Sequence, residues 1–376
     1  MSDIDKLFHP FIATHDKDNW TSWTSPRMGY FNQGDIPDVD FMAGFLVAAK
    51  VGYMDIPHIH DGCDSYFVFT GADLDRIFES EFEVNFFIGD SAASMEMYKI
   101  TTPTFVRVPA GVYHCPIYYK KVVRGGLNNL MWYGGISTGR VYPTFDEDGK
   151  EGYGYEKDNW DRVCVRNPEK MCTWCGLCFD QPEDEVNAYM EPFFKNAATT
   201  TKYKDCIMEL RQDFHKLGDA VMSPRAVFKG ISDMPKTDRQ FSFNIITAPC
   251  TLGDDEPVSN GMEAEFLWFS GVDVVDAFGC FDAEIEIMLG EDPDNMQKVT
   301  FDKPGVVAIP PGMWRGAVTV KRVGKPVCFM PYYPSIKDRY KITQKNVAGE
   351  KLLVYNDEKT IKNPTAGDEL YMQIKR

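Results

Sequence analysis

The chain lacks any apolar run approaching the ~20 residues of a membrane-spanning helix, and residues 1–20, MSDIDKLFHPFIATHDKDNW, have neither the basic start nor the apolar centre of a secretion signal. A cytoplasmic protein with no membrane partner is the expectation. Basic clusters long enough to track a phosphate backbone are missing too, and the formal net charge is −16, which argues against a nucleic acid partner. Cysteine is sparse: ten in 376 residues is too few for a disulfide scaffold, so most are expected as reduced thiols or metal ligands. Histidine is scarcer still, with six residues. Two of these nevertheless sit one residue apart in GYMDIPHIHDGCDSYFVFTG, residues 52–71.

What is present is enough for a substantial core. Hydrophobic residues make up 44% and aromatics 14%, which excludes disorder as the main state. The length exceeds what one ordinary core fills, so two domains, or one large β domain with additions, are expected. Self-comparison at an offset of about 200 residues supports that division. SYFVFTGAD (65–73) matches EFLWFSGVD (265–273), Gly89 matches Gly290, and VRVPAGVYH (106–114) matches VAIPPGMWR (307–315). Three anchors in one order indicate two copies of one module. Both copies alternate in hydrophobicity and are punctuated by Gly and Pro, as in Ile285, Ile287 and Leu289 against Glu284 and Glu286, so each reads as a β-sandwich or barrel.

Between the copies, Tyr203, Ile207, Leu210, Phe214 and Leu217 recur at helical spacing, and Gly218 follows as a stop signal. The expected organisation is a first barrel over residues 1–150, a cysteine-containing, partly helical connection over 151–235, and a second barrel over 236–376.

In a strand, residues two apart share a face, so His58 and His60 present two imidazoles about 7 Å apart along the chain. If the strand keeps register, Asp64, Tyr66 and Val68 join that face, although a turn at Asp61-Gly62 can break the parity. A third imidazole, His114, follows the Pro109-Ala110-Gly111 turn. Gly52, five residues, His58-x-His60, three residues, Asp64, six residues and Gly71 resemble the first signature of the cupin superfamily. Pro109-x-Gly111-x-x-His114 resembles the second. The resemblance covers both β modules and implies an all-β bicupin of two double-stranded β-helix barrels. It implies that His58, His60, His114 and the acid at 64 hold one divalent transition metal (Fe, Mn, Ni, Cu or Zn). The family's usual glutamate is here Asp64, which either ligates or serves as an orienting group or catalytic base. Tyr66, Val68, Tyr113 and Tyr118 are expected to line the substrate pocket. His9, His15 and His215 read as ordinary surface residues, and Cys63 and Cys115 as packing residues whose alternation turns them from the metal.

In the second copy the positions matching 58, 60, 64 and 114 hold Val258, Asn260, Ala264 and Arg315. That set cannot replace three imidazoles and a carboxylate. Arg107 and Arg315 read as ordinary strand or surface charges. A separate constellation, Cys164, Cys172, Cys175 and Cys178, has the spacing of a four-thiolate zinc site and of part of a ferredoxin iron-sulfur motif, with a group of reduced thiols as the plain alternative.

The one intact site beside one degenerate barrel resembles quercetin and gentisate dioxygenases. The function this implies is a metal-dependent dioxygenase acting on a small phenolic or enolic molecule. A redox-neutral isomerase, decarboxylase or lyase is the alternative, and a non-catalytic metal-binding or ligand-binding bicupin the third reading. A second copy of the chain is the protein partner considered.

Overall fold

Alternation of apolar and polar residues through short segments, interrupted by glycine turns, commits most of this chain to antiparallel strands, and the computed structural model shows them closing into two barrel-like units. It describes residues 3–13, 29–31, 41–48, 51–54, 56–60, 62–79, 81–122, 127–134, 140–145, 151–155, 182–237, 239–253, 256–261, 263–276, 279–334, 339–355 and 360–362. Cys164, Cys172, Cys175, Cys178 and His15 lie outside them.

The first unit comprises Ile12–Leu210 with Asp273–Asp276, and the second comprises Met1–Phe11, Arg211–Val272 and Ala277–Arg376. The boundary therefore runs through the connecting segment at 210/211, and the first eleven residues belong with the later module.

In the first unit, one sheet runs in the order Ile207–Glu209, Thr104–Val108, Asp64–Gly71, Leu127–Gly134, Phe41–Ala48, Gly29–Phe31, Ile12–Ala13. Facing it is a sheet of Gly52–Met54, Tyr113–Lys121, Glu83–Gly89 and Glu96–Ile100. Phe67, Phe69, Val106 and Val108 from the one and Val84, Phe86, Ile88 and Ile117 from the other fill the interior. The second unit repeats the plan. Glu265–Gly271 pairs with Gly305–Ile309 and with Val327–Tyr333, and the core holds Leu267, Phe269, Ile285, Ile287, Val307 and Phe329. Its sheet is extended by Phe8–Pro10, antiparallel to Gly305–Ile309.

The helix expected over 203–217 is not there. Residues 204–206 form a single 3-10 turn, Ile207–Glu209 pairs with Thr104–Val108, and Arg211–Asp213 pairs with Arg225–Phe228. Edge pairing gives these backbone groups partners in two different sheets, and that outweighs the helical period. Phe214 is 69% exposed, so the supposed apolar stripe is not buried along its length. The α-helix of the connection is instead Glu183–Lys195, which starts after Pro182 with three acids in its first turn and buries Val186 and Met190, four apart.

Candidate metal centre

His58, His60 and His114 converge. Their exposures are 2%, 4% and 1%, and one ring nitrogen from each lies within 4.8 Å of those of the others. Ring centroids are 5.0 Å apart for His58 and His60, 4.4 Å for His58 and His114, and 5.3 Å for His60 and His114. The backbone enforces this. His58 N–H donates to the His114 carbonyl at 3.1 Å, and His114 N–H returns to the His58 carbonyl at 3.0 Å. The turn before His114 is fastened as well, because Gly111 N–H donates to the His60 carbonyl at 2.9 Å. Gly111 has φ of +75°, a conformation that only glycine adopts cheaply, which accounts for the glycine of the Pro-Ala-Gly turn.

Nδ1 of His58 lies 2.8 Å from the Ile56 carbonyl. A carbonyl only accepts, so Nδ1 carries the proton and Nε2 keeps its lone pair, the tautomer a metal requires. Nδ1 of His114 sits in the same sense 3.4 Å from the Val112 carbonyl. Three buried nitrogens this close fit one divalent transition ion, since small side-chain rotations bring them to bonds of ~2.1 Å. Among the described residues this is the one group of three or more ligating side chains close enough to hold a metal.

Asp64 is not part of that group. Its Oδ2 accepts from Arg107 Nε at 2.7 Å and from the Tyr66 hydroxyl at 3.3 Å, and its Oδ1 accepts from the Ala110 N–H at 2.9 Å. Burial works against the Arg107 charge, but the Asp64 carboxylate outweighs it and holds the guanidinium above its ordinary pKa. Arg107 is therefore a paired, half-buried group and not a free surface charge.

A break in parity at Gly62 explains this placement. Gly62 has φ of +87°, and beyond it Phe67 and Phe69, not Tyr66 and Val68, face the interior. Phe67 is 5.7 Å from the His114 ring, centroid to centroid. Asp64, Tyr66 and Val68 occupy the opposite face, where Tyr66 stacks on Phe105 at 5.8 Å. Ser65 shares the inward face. Its Oγ is buried, with no hydrogen-bond partner among the described residues.

Tyr113 and Tyr118 also lie on the outer side. With Tyr53 and Ile59 they pack beneath Val186 and Met190 of the helix, and the Tyr118 hydroxyl donates to Asn187 Oδ1 at 2.8 Å. Strand alternation accounts for Tyr113, which precedes an inward His114. The bulge between His114 and Ile117 lets Cys115, at φ of +68°, also turn into the core. Tyr66, Tyr113 and Tyr118 thus serve packing and Val68 shares the face of Tyr66, while Phe67 stands beside His114 and Ser65 lies on the same face as Phe67.

The second unit shows what the inward position after the turn can hold. Val258 pairs with Arg315 as His58 pairs with His114, and Ile309 pairs with Glu265 as Val108 pairs with Ser65. Glu265, fully buried, accepts from Arg315 Nε (2.7 Å), Arg315 Nη2 (3.0 Å), Asn260 Nδ2 (2.6 Å) and the Tyr333 hydroxyl (2.8 Å). Burial opposes the charge of Arg315, and Glu265 more than restores it, holding the pKa above normal. Here an ion pair occupies the ground that three imidazoles occupy in the first barrel. The readable signal was an acid, Glu265, opening the otherwise apolar strand EFLWF.

One solved structure agrees with the architecture at the level of the fold. Vicilin from Corylus avellana (hazelnut) superposes with a TM-score of 0.50 at 9% identity, covering 90% of this chain and 88% of that one. Oxalate decarboxylase of Lactobacillus farciminis, in a formate complex, gives 0.44 at 11% identity over 82% and 81%. A single-residue variant of the B. subtilis oxalate decarboxylase gives 0.46 at 10% over 88% and 79%. No protein-family profile matches the sequence, and no curated protein matches it either. Fold and site together define an all-β, two-barrel cupin architecture with a three-histidine group in its first barrel. No helix among the described residues is long and apolar enough to cross a membrane.

Proposed function

We propose that the chain is a metal-dependent enzyme acting on a small oxygen-rich anion, and that its reaction is a dioxygenation of a phenolic or enolic substrate. The observation that carries this reading is the composition of the buried group: three imidazoles and no carboxylate among them. His58, His60 and His114 are neutral donors, so they leave the full charge of a divalent ion uncompensated, which favours a substrate that chelates through anionic oxygens. A bound Fe, Mn, Ni, Cu or Zn would supply Lewis acidity and, for the redox-active ions, a place for dioxygen beside the substrate.

The remaining work falls to residues of the chain. Ser65 offers a buried hydroxyl to orient a substrate oxygen, and Phe67 walls the site on the same face and limits water. Asp64, the acid the sequence offered as a ligand, orienting group or base, is held by Arg107 and Ala110 on the other face. That arrangement favours the oxygenase over a redox-neutral reaction that begins with proton abstraction by this carboxylate. The net charge of −16 supports a small-molecule substrate over a nucleic acid.

The test is an oxygen electrode. Protein purified without oxygen, reloaded with each metal, is mixed with catechols, gentisate, β-diketones and 2-oxo acids, and oxygen uptake is compared with substrate loss. Equimolar uptake that vanishes in His114→Ala is expected. Substrate loss without uptake would transfer the reading to redox-neutral chemistry. Metal retention with no turnover would transfer it to ligand binding.

A further inference from the structure

Each unit takes an edge strand from the segment that leads into the other. Residues 3–11 precede the first barrel in the chain, yet Phe8–Pro10 pairs with Gly305–Ile309 of the second unit. Residues 203–210 precede the second barrel, yet Ile207–Glu209 pairs with Thr104–Val108 of the first unit. The two segments dock alike. Both contain a 3-10 turn, Asp3–Leu7 and Lys204–Cys206, that runs directly into the strand. Phe8 stands opposite Val307 and Ile207 opposite Val106, two positions that the internal repeat aligns. Phe11 N–H donates to the Pro304 carbonyl at 3.0 Å, and Leu210 N–H to the Pro103 carbonyl at 2.8 Å.

Side chains follow the same spacing. Ile4, Leu7 and Phe8 pack on the second core, and the buried Phe11 ring lies 5.5 Å from that of Trp268, centroid to centroid. Tyr203, Cys206 and Ile207 pack on the first core, and Leu210 is buried. Apolar residues at 4, 7, 8 and 11 thus correspond to those at 203, 206, 207 and 210, so the repeat includes a strap ahead of each barrel. The crossings match as well. The chain leaves the second unit's sheet at Pro10 and enters the first unit's sheet at Ile12, with Phe11 alone between. It leaves the first unit's sheet at Glu209 and enters the second unit's sheet at Arg211, with Leu210 alone between.

A strap of this kind closes a module other than the one it introduces, so its docking does not depend on which copy of the chain supplies it. Withdrawing residues 3–11 bares the backbone edge of Gly305–Ile309 together with Trp268 and with Phe301, on which Phe8 stacks at 4.1 Å. The segment that fits this groove residue for residue is the same strap of another copy. There every pairing and stacking contact re-forms unchanged, and a crossing of one residue holds no relaxed loop to be lost. Those are the conditions under which strand exchange is a low-cost route to a dimer. We infer that the chain self-associates by exchanging residues 3–11, the groove along Gly305–Ile309 of one copy taking the strap of a second. The groove belongs to the second unit, and the inference does not rest on the reaction proposed for the first.

Two full-length variants separate strap from groove. Phe8→Asp with Phe11→Asp spoils the strap and leaves the groove. Gly305→Ala spoils the groove, where a Cβ would meet the His9 carbonyl at 2.5 Å, and leaves the strap. Each chain is unfolded in urea, refolded at low and at high protein concentration, and weighed by native mass spectrometry. The wild type is expected to give a dimer whose share rises with refolding concentration, and each variant alone to stay monomeric. Refolding the two variants together should restore a one-to-one mixed pair, joined by the intact strap of one and the intact groove of the other. An excess of the synthetic peptide SDIDKLFHPFI, residues 2–12, should abolish both the wild-type dimer and the mixed pair. Circular dichroism checks refolding, and if the strap variant does not refold, Gly305→Ala and the peptide decide. A wild type that is monomeric at every refolding concentration would overturn the exchange. So would a variant that dimerises as readily as the wild type, a mixture of folded variants without the mixed pair, or a dimer indifferent to the peptide, each of which places self-association on another surface.

Discussion

At the scale of residues, this protein turns on which face of a strand each side chain takes. His58 and His60 share a face because they are two positions apart, and Ile59 between them packs outward against Tyr53 and Tyr113. Replacing His58 or His114 by Ala should abolish stoichiometric metal, and the loss should exceed the roughly 10–100-fold typical of an outer-sphere partner. Elemental analysis after dialysis measures it. Ser65 yields a sharper test. It stands in the register where the second barrel holds Glu265. Ser65→Glu therefore adds a carboxylate to the histidines, and we expect slower metal release to a chelator and weaker inhibition by anionic chelating ligands, because the ion's charge is now partly compensated. Unchanged release in that variant would show that position 65 does not reach the ion.

Among elements, the connecting segment is held by one buried acid. Glu96 accepts hydroxyl hydrogen bonds from Thr200 and Tyr98, both at 2.5 Å, and backbone N–H bonds from Lys202 at 2.8 Å and Tyr203 at 3.0 Å. Burial pushes its pKa up, but Thr200, Tyr98 and the two N–H groups together outweigh that and hold it below the ordinary 4.5. Glu96→Gln places an NH2 group against these donors and should cost about 1–3 kcal/mol in urea unfolding at neutral pH. A carboxyl with a depressed folded pKa contributes stability that is complete above its unfolded value and disappears as pH falls through the folded one. The difference between wild type and Glu96→Gln should thus hold steady down to about pH 4.5 and shrink below it. A difference that grows on acidification would refute the assignment. The same segment shows why helical spacing misled. Tyr203 and Ile207 do pack on the first core, but the backbone from 207 onward is claimed by strand partners in two units.

For the whole molecule, duplication left two barrels with different contents at matching strand positions. Arg315 and Glu265 form a buried ion pair, and removing one partner strands the other. Arg315→Met should cost about 3–5 kcal/mol, whereas Arg315→Met with Glu265→Leu should recover only part of it, because Asn260 and the Tyr333 hydroxyl then lose this acceptor. A double-mutant cycle in urea measures both, and metal content of the first barrel should stay constant throughout. The N-terminus also belongs to this scale. Phe8 stacks on Phe301 with centroids 4.1 Å apart, and a Cβ at Gly305 would meet the His9 carbonyl at 2.5 Å and the Phe8 ring at 2.8 Å. Gly305→Ala should therefore displace the Phe8–Pro10 strand at a cost of about 1–3 kcal/mol, with faster amide exchange at Phe8 and Val307 as the readout.

Sequence alone determined the duplicated β architecture and the histidine trio, because both rest on local rules: strand alternation, glycine turns with positive φ, and an internal match that carries its own register. Tertiary structure decided everything that depends on parity across a turn. The break at Gly62 sent Asp64 to Arg107 and turned Ser65 and Phe67 inward, Phe67 against His114, a displacement of one residue that reverses every side chain after it. It also decided where 203–217 went, since pairing with distant strands is invisible in a window of local spacing. The ion pair of the second barrel belongs to the same category. Arg315 and Glu265 lie fifty positions apart in the chain, and only closure of the barrel makes them neighbours.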